Sequence, residues 1–239
     1  MAINGKLMVC IGNNSMKEGM KKLTDFLLDC VFPYFCLQCG ASDVYFCFLC
    51  RQADWFKNPT GIFVHGNEID SSLTRIISLT KYNSEVDAAR LIEDFKYGFI
   101  NQASTEINVW LKNTAWLNKE IADCDLIIPV PLHRRRFAER GFNQAEIIAG
   151  FMSTIIHRPI DFLSLIRAKS TKQQAKLGRE KRLKNVIDAF VCKNKEKIVG
   201  QNILLVDDVY TTGATLEECA KVLLATGAKN VSSFTLAHG

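Results

Sequence analysis

A chain of 239 residues, 48% hydrophobic and 23% charged, holds enough apolar material for one large domain or for an ordinary domain with a small companion. The formal net charge of +5 is too modest to name a partner class by itself, so the distribution of charge carries the information. Residues 1–20 contain no apolar signal core and no run reaches membrane-span length, so a cytoplasmic protein is expected, and its nine cysteines are expected to serve as metal ligands or free thiols rather than disulfides.

In chain order, residues 1–22 read as a weakly ordered segment in which either Met1 or Met20 fits a translation start. Phe26, Leu27 and Val31 have the spacing of an amphipathic helix, with Cys30 as packing. Cys36-Leu37-Gln38-Cys39 and Cys47-Phe48-Leu49-Cys50 follow as two C-x-x-C pairs seven residues apart, with Gly40 directly after the first. Two such knuckles face to face supply four thiolates in a tetrahedron, the closed geometry of structural zinc, through a compact hairpin from Ala41 to Phe46. A redox dithiol uses a single pair beside a βαβ unit, and four protein ligands leave the metal no open position for catalysis. Cys10, Cys124, Cys192 and Cys219 lack ligand spacing and read as small apolar residues.

The tract Lys57-Asn58-Pro59-Thr60-Gly61 reads as a boundary, which assigns residues 23–60 to a helix plus ribbon and residues 61–239 to an α/β domain. Leu73 to Tyr82 is expected to form an early strand. Ala88, Leu91, Ile92, Phe95 and Phe99 mark one face of a helix, and Ile107, Trp110 and Leu111 mark another. Leu126 to Pro131 reads as a buried strand ending in a proline-bearing turn. Beyond it come Arg134, Arg135, Arg136 and Arg140, which crowd like charges at a strand end unless a diphosphate or nucleic acid separates them. His133 carries no assigned acid–base role. Asn143 with Glu146 has the form of a helix cap whose inward face is Ala145, Ile148, Ala149, Met152 and Ile156. From Arg167 to Lys184 eight basic residues stand against the single acid Glu180, which makes this tract a candidate mobile flap.

The most specific stretch runs from Ile203 to Thr215. Ile203-Leu204-Leu205-Val206 reads as a strand buried on both faces of a parallel sheet, with Asp207 and Asp208 at its carboxyl end, where open α/β sheets bind ligands. Thr211, Thr212, Gly213, Ala214 and Thr215 then supply small side chains and backbone N–H groups at the start of a helix. Its inner face is Leu216, Cys219, Ala220 and Leu223, with Thr215 and Glu218 as a capping box and Gly227 as its left-handed end. Neither a P-loop nor a dinucleotide-binding glycine motif occurs.

Four apolar residues, two acids and a T-T-G-x-T loop resemble the 5-phosphoribosyl 1-diphosphate (PRPP) signature of the type I phosphoribosyltransferases. The resemblance implies that fold: a mostly parallel sheet flanked by helices, with residues 61–239 as the PRPP-binding domain and the cysteine module as a small N-terminal zinc ribbon. It implies Asp207 and Asp208 at the ribose hydroxyls, as the candidate catalytic pair, and Thr211 to Thr215 around the 5-phosphate. Arg134, Arg135, Arg136 and Arg140 are candidates for the diphosphate, and Mg²⁺ is expected with PRPP. Purine-salvage members often carry an aspartate at the first loop position; Thr211 stands there in this sequence, which argues against a purine acceptor handled in that way.

The paired C-x-x-C motifs, Pro129-Val130-Pro131-Leu132, Arg140-Gly141-Phe142-Asn143-Gln144, and Arg167, Thr171, Gln174, Leu177, Arg182 and Asn185 together resemble the ComF family of competence proteins. That resemblance implies PRPP binding and a role in natural transformation through incoming single-stranded DNA, with Lys169, Lys172, Lys176, Arg179 and Arg182 as candidate nucleic-acid contacts. DNA-uptake or recombination proteins are the implied partners, with peripheral membrane contact left open. Two other readings stay open: a metabolic transferase acting on a small nitrogen nucleophile, and a non-catalytic PRPP sensor.

Overall fold

The computed structural model describes residues 35–65, 71–82, 86–97, 100–169 and 186–239. The expected helix around Phe26 to Val31, Cys10, Cys30, Phe99, and Lys172, Lys176, Arg179 and Arg182 lie outside the described residues. The chain divides into two compact units, residues 1–50 and 51–239.

In the first unit, the backbone from Phe35 to Ser42 closes into a tight turn, with an antiparallel bridge between those two residues. Cys36 N–H donates to the Ala41 carbonyl at 2.7 Å and Gly40 N–H to the Cys36 carbonyl at 2.9 Å. Gly40 has φ +74°, a left-handed conformation that glycine adopts without the Cβ penalty.

The second unit begins earlier than the Lys57–Gly61 tract, because the residues before that tract are packed into it. Helix α1 (Asp54–Lys57) buries Phe56 against Trp110, with the two rings stacked at 6.3 Å. Trp110 Nε1–H donates to the Trp55 carbonyl, Asn113 Nδ2–H to the Phe56 carbonyl, and Trp116 Nε1–H to the Pro59 carbonyl. Arg51 pairs with the buried carboxylate of Glu106 through both of its oxygens, which gives that buried charge a bidentate partner.

Strand β1 (Ile62–His65) is followed by β2 (Arg75–Lys81), then by helices α2 (Val86–Tyr97) and α3 (Ile100–Lys112). The apolar spacing explains both helices: Ala88, Leu91, Ile92 and Phe95 are buried on α2, and Ile107, Trp110 and Leu111 on α3. A short α4 (Leu117–Glu120) leads into β3 (Leu126–Pro129), then come α5 (Arg134–Arg140) and α6 (Gln144–Ile156). Strands β4 (Leu165–Arg167) and β5 (Phe190–Cys192) form a separate antiparallel pair. The chain ends with β6 (Asn202–Tyr210), α7 (Ala214–Thr226) and β7 (Asn230–His238).

Among the described residues the main sheet has five strands in the order β1-β2-β7-β6-β3, parallel throughout except for β1. This is the mostly parallel α/β sheet expected from its uninterrupted apolar runs. Alternation along the strands divides the core. Ile76, Ile128, Ile203, Leu205 and Val231 pack in one cluster with Leu216, Cys219, Ala220 and Leu223 of α7. Ile127, Leu204 and Val206 point to the other face, where α6 lies on β3 and β6, and they are equally buried.

Two local expectations are refined. The central strand does not stop at Val206: β6 continues to Tyr210, because Asp207, Val209 and Tyr210 keep register with Thr235, Ala237 and His238 of β7. The arginine stretch, which the sequence places only beyond a strand end, is helical, with His133 as N-cap accepting from Arg135 N–H at 3.2 Å and Gly141 ending it at φ +78°. His133 thus has a structural task.

Candidate functional site: a cleft at the end of the parallel sheet

The ends of β3, β6 and β7 and the start of α7 enclose a cleft of about 360 Å³. Asp207, Asp208, Thr211, Thr212, Gly213, Ala214 and Thr215 all line it, as do Arg136 and Arg140. The expected phosphate loop, acids and half of the arginine cluster therefore share one space. Arg134 and Arg135 do not line it. Helical geometry explains the division, since Arg136 and Arg140 are four apart and share a face, whereas Arg135 turns aside to pair with Glu139 at 3.1 Å.

Neighbouring residues on a strand project to opposite faces, and the two acids follow that rule. Asp207 shares the face of Ile203 and Leu205, toward α7 and β4. There burial first, then the adjacent Asp208, push its carboxyl up to about 7, against the lowering effect of the Asp208 backbone N–H, Lys96 and Arg167. Asp208 turns toward α2, where Lys96 Nζ lies 3.3 Å from Oδ2. Asp208 N–H donates to Asp207 Oδ1 at 2.9 Å, which fixes the first carboxylate relative to the second.

The loop after the acids turns at Gly213, the N-cap of α7, with φ +72°. A Cβ there would stand 2.2 Å from the Tyr210 hydroxyl, and the Tyr210 ring is held by stacking on His238 at 4.6 Å. Glycine is required both by the left-handed backbone and by that close approach. Gly213, Ala214 and Thr215 line the cleft at the first turn of a thirteen-residue helix, where Ala214 N–H meets Thr212 Oγ1 only at 3.5 Å, so the positive end of the helix is presented to the cleft. The expected Thr215–Glu218 capping box is absent. Glu218 instead accepts from Asp188 N–H at 2.8 Å, and Gly213 takes the cap position. Gly227 ends the helix in the left-handed conformation as expected.

Two cations in the cleft were not assigned from the sequence. Lys96 comes from the last turn of α2, far from any motif, and no sequence signal marks its reach to Asp208. Arg167 heads the basic tract in sequence, yet it is the last residue of β4, buried, with its guanidinium carbon 5.3 Å from the Phe190 ring centre. Burial, then Arg136, lowers its pKa. The alternation Leu165-Ile166-Arg167 was the available signal, because it places Arg167 on the inward face with Leu165. Lys169 is exposed, with Nζ 3.6 Å from Asp188. Asn143 caps α6 as expected: its Oδ1 accepts from Ala145 N–H, and its Nδ2 donates to Glu146 and to the Val130 carbonyl, so the turn after β3 is tied to the cleft wall.

In the first unit, the sulfur atoms of Cys36, Cys39, Cys47 and Cys50 all lie within 4.8 Å of one another. Cys39 Sγ and Cys47 Sγ are 3.7 Å apart. A tetrahedral site with metal–sulfur bonds of about 2.3 Å has sulfur–sulfur edges of about 3.8 Å. The donor set therefore fits a structural metal. At Cys36 burial raises the thiol's pKa, but backbone N–H groups, those of Cys39 and Cys47 first, outweigh it and bring it to about 6. Burial, then its cysteine neighbours, push the Cys50 thiol up. Cys124 and Cys219 are buried, apart from this cluster.

Fold and site define a phosphoribosyltransferase-type domain, and residues 139–239 match the phosphoribosyl transferase domain family. Over 112 residues the chain is 45% identical to competence protein ComFC of Bacillus subtilis, covering 46% of this chain and 43% of that one. It is 37% identical to DNA utilization protein YhgH of Escherichia coli O157:H7, covering 47% and 48%. Competence protein F of Haemophilus influenzae is 29% identical over 87% of this chain and 85% of its own length. The four-cysteine cluster adds a second feature to this similarity to competence and DNA utilization proteins, which the phosphoribosyl transferase match does not include. The first two alignments span a little under half the length of those relatives.

Proposed function

We propose that the protein binds PRPP with Mg²⁺ and acts in the handling of incoming DNA during natural transformation. The observation that carries the PRPP reading is the cleft itself: two carboxylates stand between a threonine–glycine helix start and four cations, Lys96, Arg136, Arg140 and Arg167. The helix start suits the 5-phosphate. The carboxylates suit ribose hydroxyls, which donate to them, and the cations suit a diphosphate. Bound Mg²⁺ would neutralise part of the diphosphate charge. The DNA reading is supported by the printed names of the relatives, two competence proteins and a DNA utilization protein.

We infer further that the four cysteines hold structural zinc, that residues 1–50 form the ribbon-bearing unit, and that the protein resides in the cytoplasm, where reduced thiolates persist. No helix among the described residues is long and apolar enough to cross a membrane. The test is calorimetric titration with PRPP and Mg²⁺. Saturable binding that disappears in Asp207→Asn and Asp208→Asn supports the reading; equal binding of ribose 5-phosphate and inorganic phosphate sinks it. A second reading, phosphoribosyl transfer to a small nitrogen nucleophile, is favoured by the developing charge that Asp207, Asp208 and the cations are placed to stabilise. Diphosphate release on an acceptor panel decides between a transferase and a sensor.

A further inference from the structure

Helix α5 has two working faces, and the cleft uses one. Arg136 and Arg140 line the cleft, and Arg135 is engaged by Glu139. Arg134 and Phe137, three apart and therefore neighbours on the helix surface, do not line the cleft. No residue of α5 is buried, Arg134 is exposed, and Phe137 keeps 45% of its surface in water. An aromatic ring so placed leaves nearly half of its surface uncovered by the protein. It stands beside a guanidinium on a helix whose four arginines face a single, already paired, glutamate.

We propose that this outer face of α5 docks single-stranded nucleic acid, with Phe137 stacking on an unpaired base and Arg134 holding an adjacent phosphate. The proposal rests on the DNA-handling reading above and names its surface. Aromatic platforms beside cations are the general solution for single strands, because every base has a stacking face and every nucleotide a phosphate. An acidic peptide would use Arg134 and leave Phe137 in water. A duplex keeps its bases stacked on one another and gives the ring nothing to cover. The position also matters. Gly141 closes α5 and leads directly to Asn143, which is bonded to the Val130 carbonyl at the cleft wall, so a strand on the outer face and a ligand on the inner face share one seven-residue helix.

The test uses the full-length protein, a fluorescent oligothymidylate and an abasic oligonucleotide of equal length, read by anisotropy over a salt series. The wild type is expected to prefer the thymidylate. Phe137→Ala should bind it about five- to 150-fold more weakly and lose the preference over the abasic strand, while Phe137→Tyr restores both. Arg134→Gln should lower the salt slope by about 0.7, the amount for one phosphate on a single strand. Both side chains are exposed and outside the cleft, so PRPP titration of the same variants should match the wild type. Unchanged thymidylate binding in Phe137→Ala, or equal wild-type binding of the two oligonucleotides, overturns the surface. Absence of wild-type binding at low salt instead sinks the DNA reading beneath it.

Discussion

Replacing Asp207 by asparagine should make the protein more stable and leave it unable to bind its ligand. Asparagine keeps an oxygen to accept from Asp208 N–H but carries no charge. In the folded protein burial and Asp208 raise the Asp207 carboxyl to about 7 from an ordinary 3.8. Between those values the folded state binds a proton that the unfolded state has released, so wild-type stability falls as pH rises through this interval and levels off above it. At 1.36 kcal/mol per pH unit the interval corresponds to at most about 4 kcal/mol. The carboxyls of Asp125, Asp161 and Glu217 have lowered pKa values and act in the opposite direction. They are common to both proteins and cancel in the difference. Urea unfolding at pH 5, 6, 7 and 8, without Mg²⁺ or PRPP, measures that difference. All three tryptophans lie in the second unit, so their fluorescence reports on it. The advantage of Asp207→Asn should grow from pH 5 to 7 and then stay constant. A variant no more stable than wild type at pH 8, or an advantage independent of pH, would refute the electrostatic argument.

Lys96→Met removes the cation 3.3 Å from Asp208 and one that lowers the Asp207 pKa, so the acid limb of PRPP binding should move to higher pH. Titrations from pH 6 to 9 should show at least tenfold weaker binding at pH 7, a loss of about 1.4 kcal/mol, with Lys96→Arg near wild type. Gly213→Ala meets the left-handed φ and the Tyr210 hydroxyl at once, and should cost about 1–3 kcal/mol in urea unfolding and abolish PRPP binding. Chelation is expected to release one zinc per chain, and Cys36→Ser with Cys39→Ser to prevent its uptake, as read by metal analysis and by faster proteolysis before residue 51. PRPP binding in the second unit should survive that treatment.

The sequence by itself determined the parts whose meaning is local. The uninterrupted apolar run at Ile203 to Val206 specifies a strand covered on both faces, and α2 and α3 announce themselves by helical spacing. The loop from Thr211 to Thr215 and the paired C-x-x-C motifs carry their chemistry in consecutive residues, which is why they could be read without a fold. Arg136 and Arg140 were legible as charge, but their separation from Arg134 and Arg135 depended on a helix that the crowded arginines did not suggest.

Tertiary structure alone decided which distant groups meet the acids. Lys96 reaches Asp208 because α2 ends at the sheet's carboxyl edge, and Arg167 reaches the cleft because β4 pairs with β5 over α7. It also carried β6 to Tyr210 through pairing with β7, and drew residues 51–57 into the second unit through Phe56 and Trp110. Periodicity reports which face of an element is covered. The identity of the group that covers it, and of the charge that stands opposite a carboxylate, is set by contacts between segments with no relation in sequence, and only the packed chain supplies them.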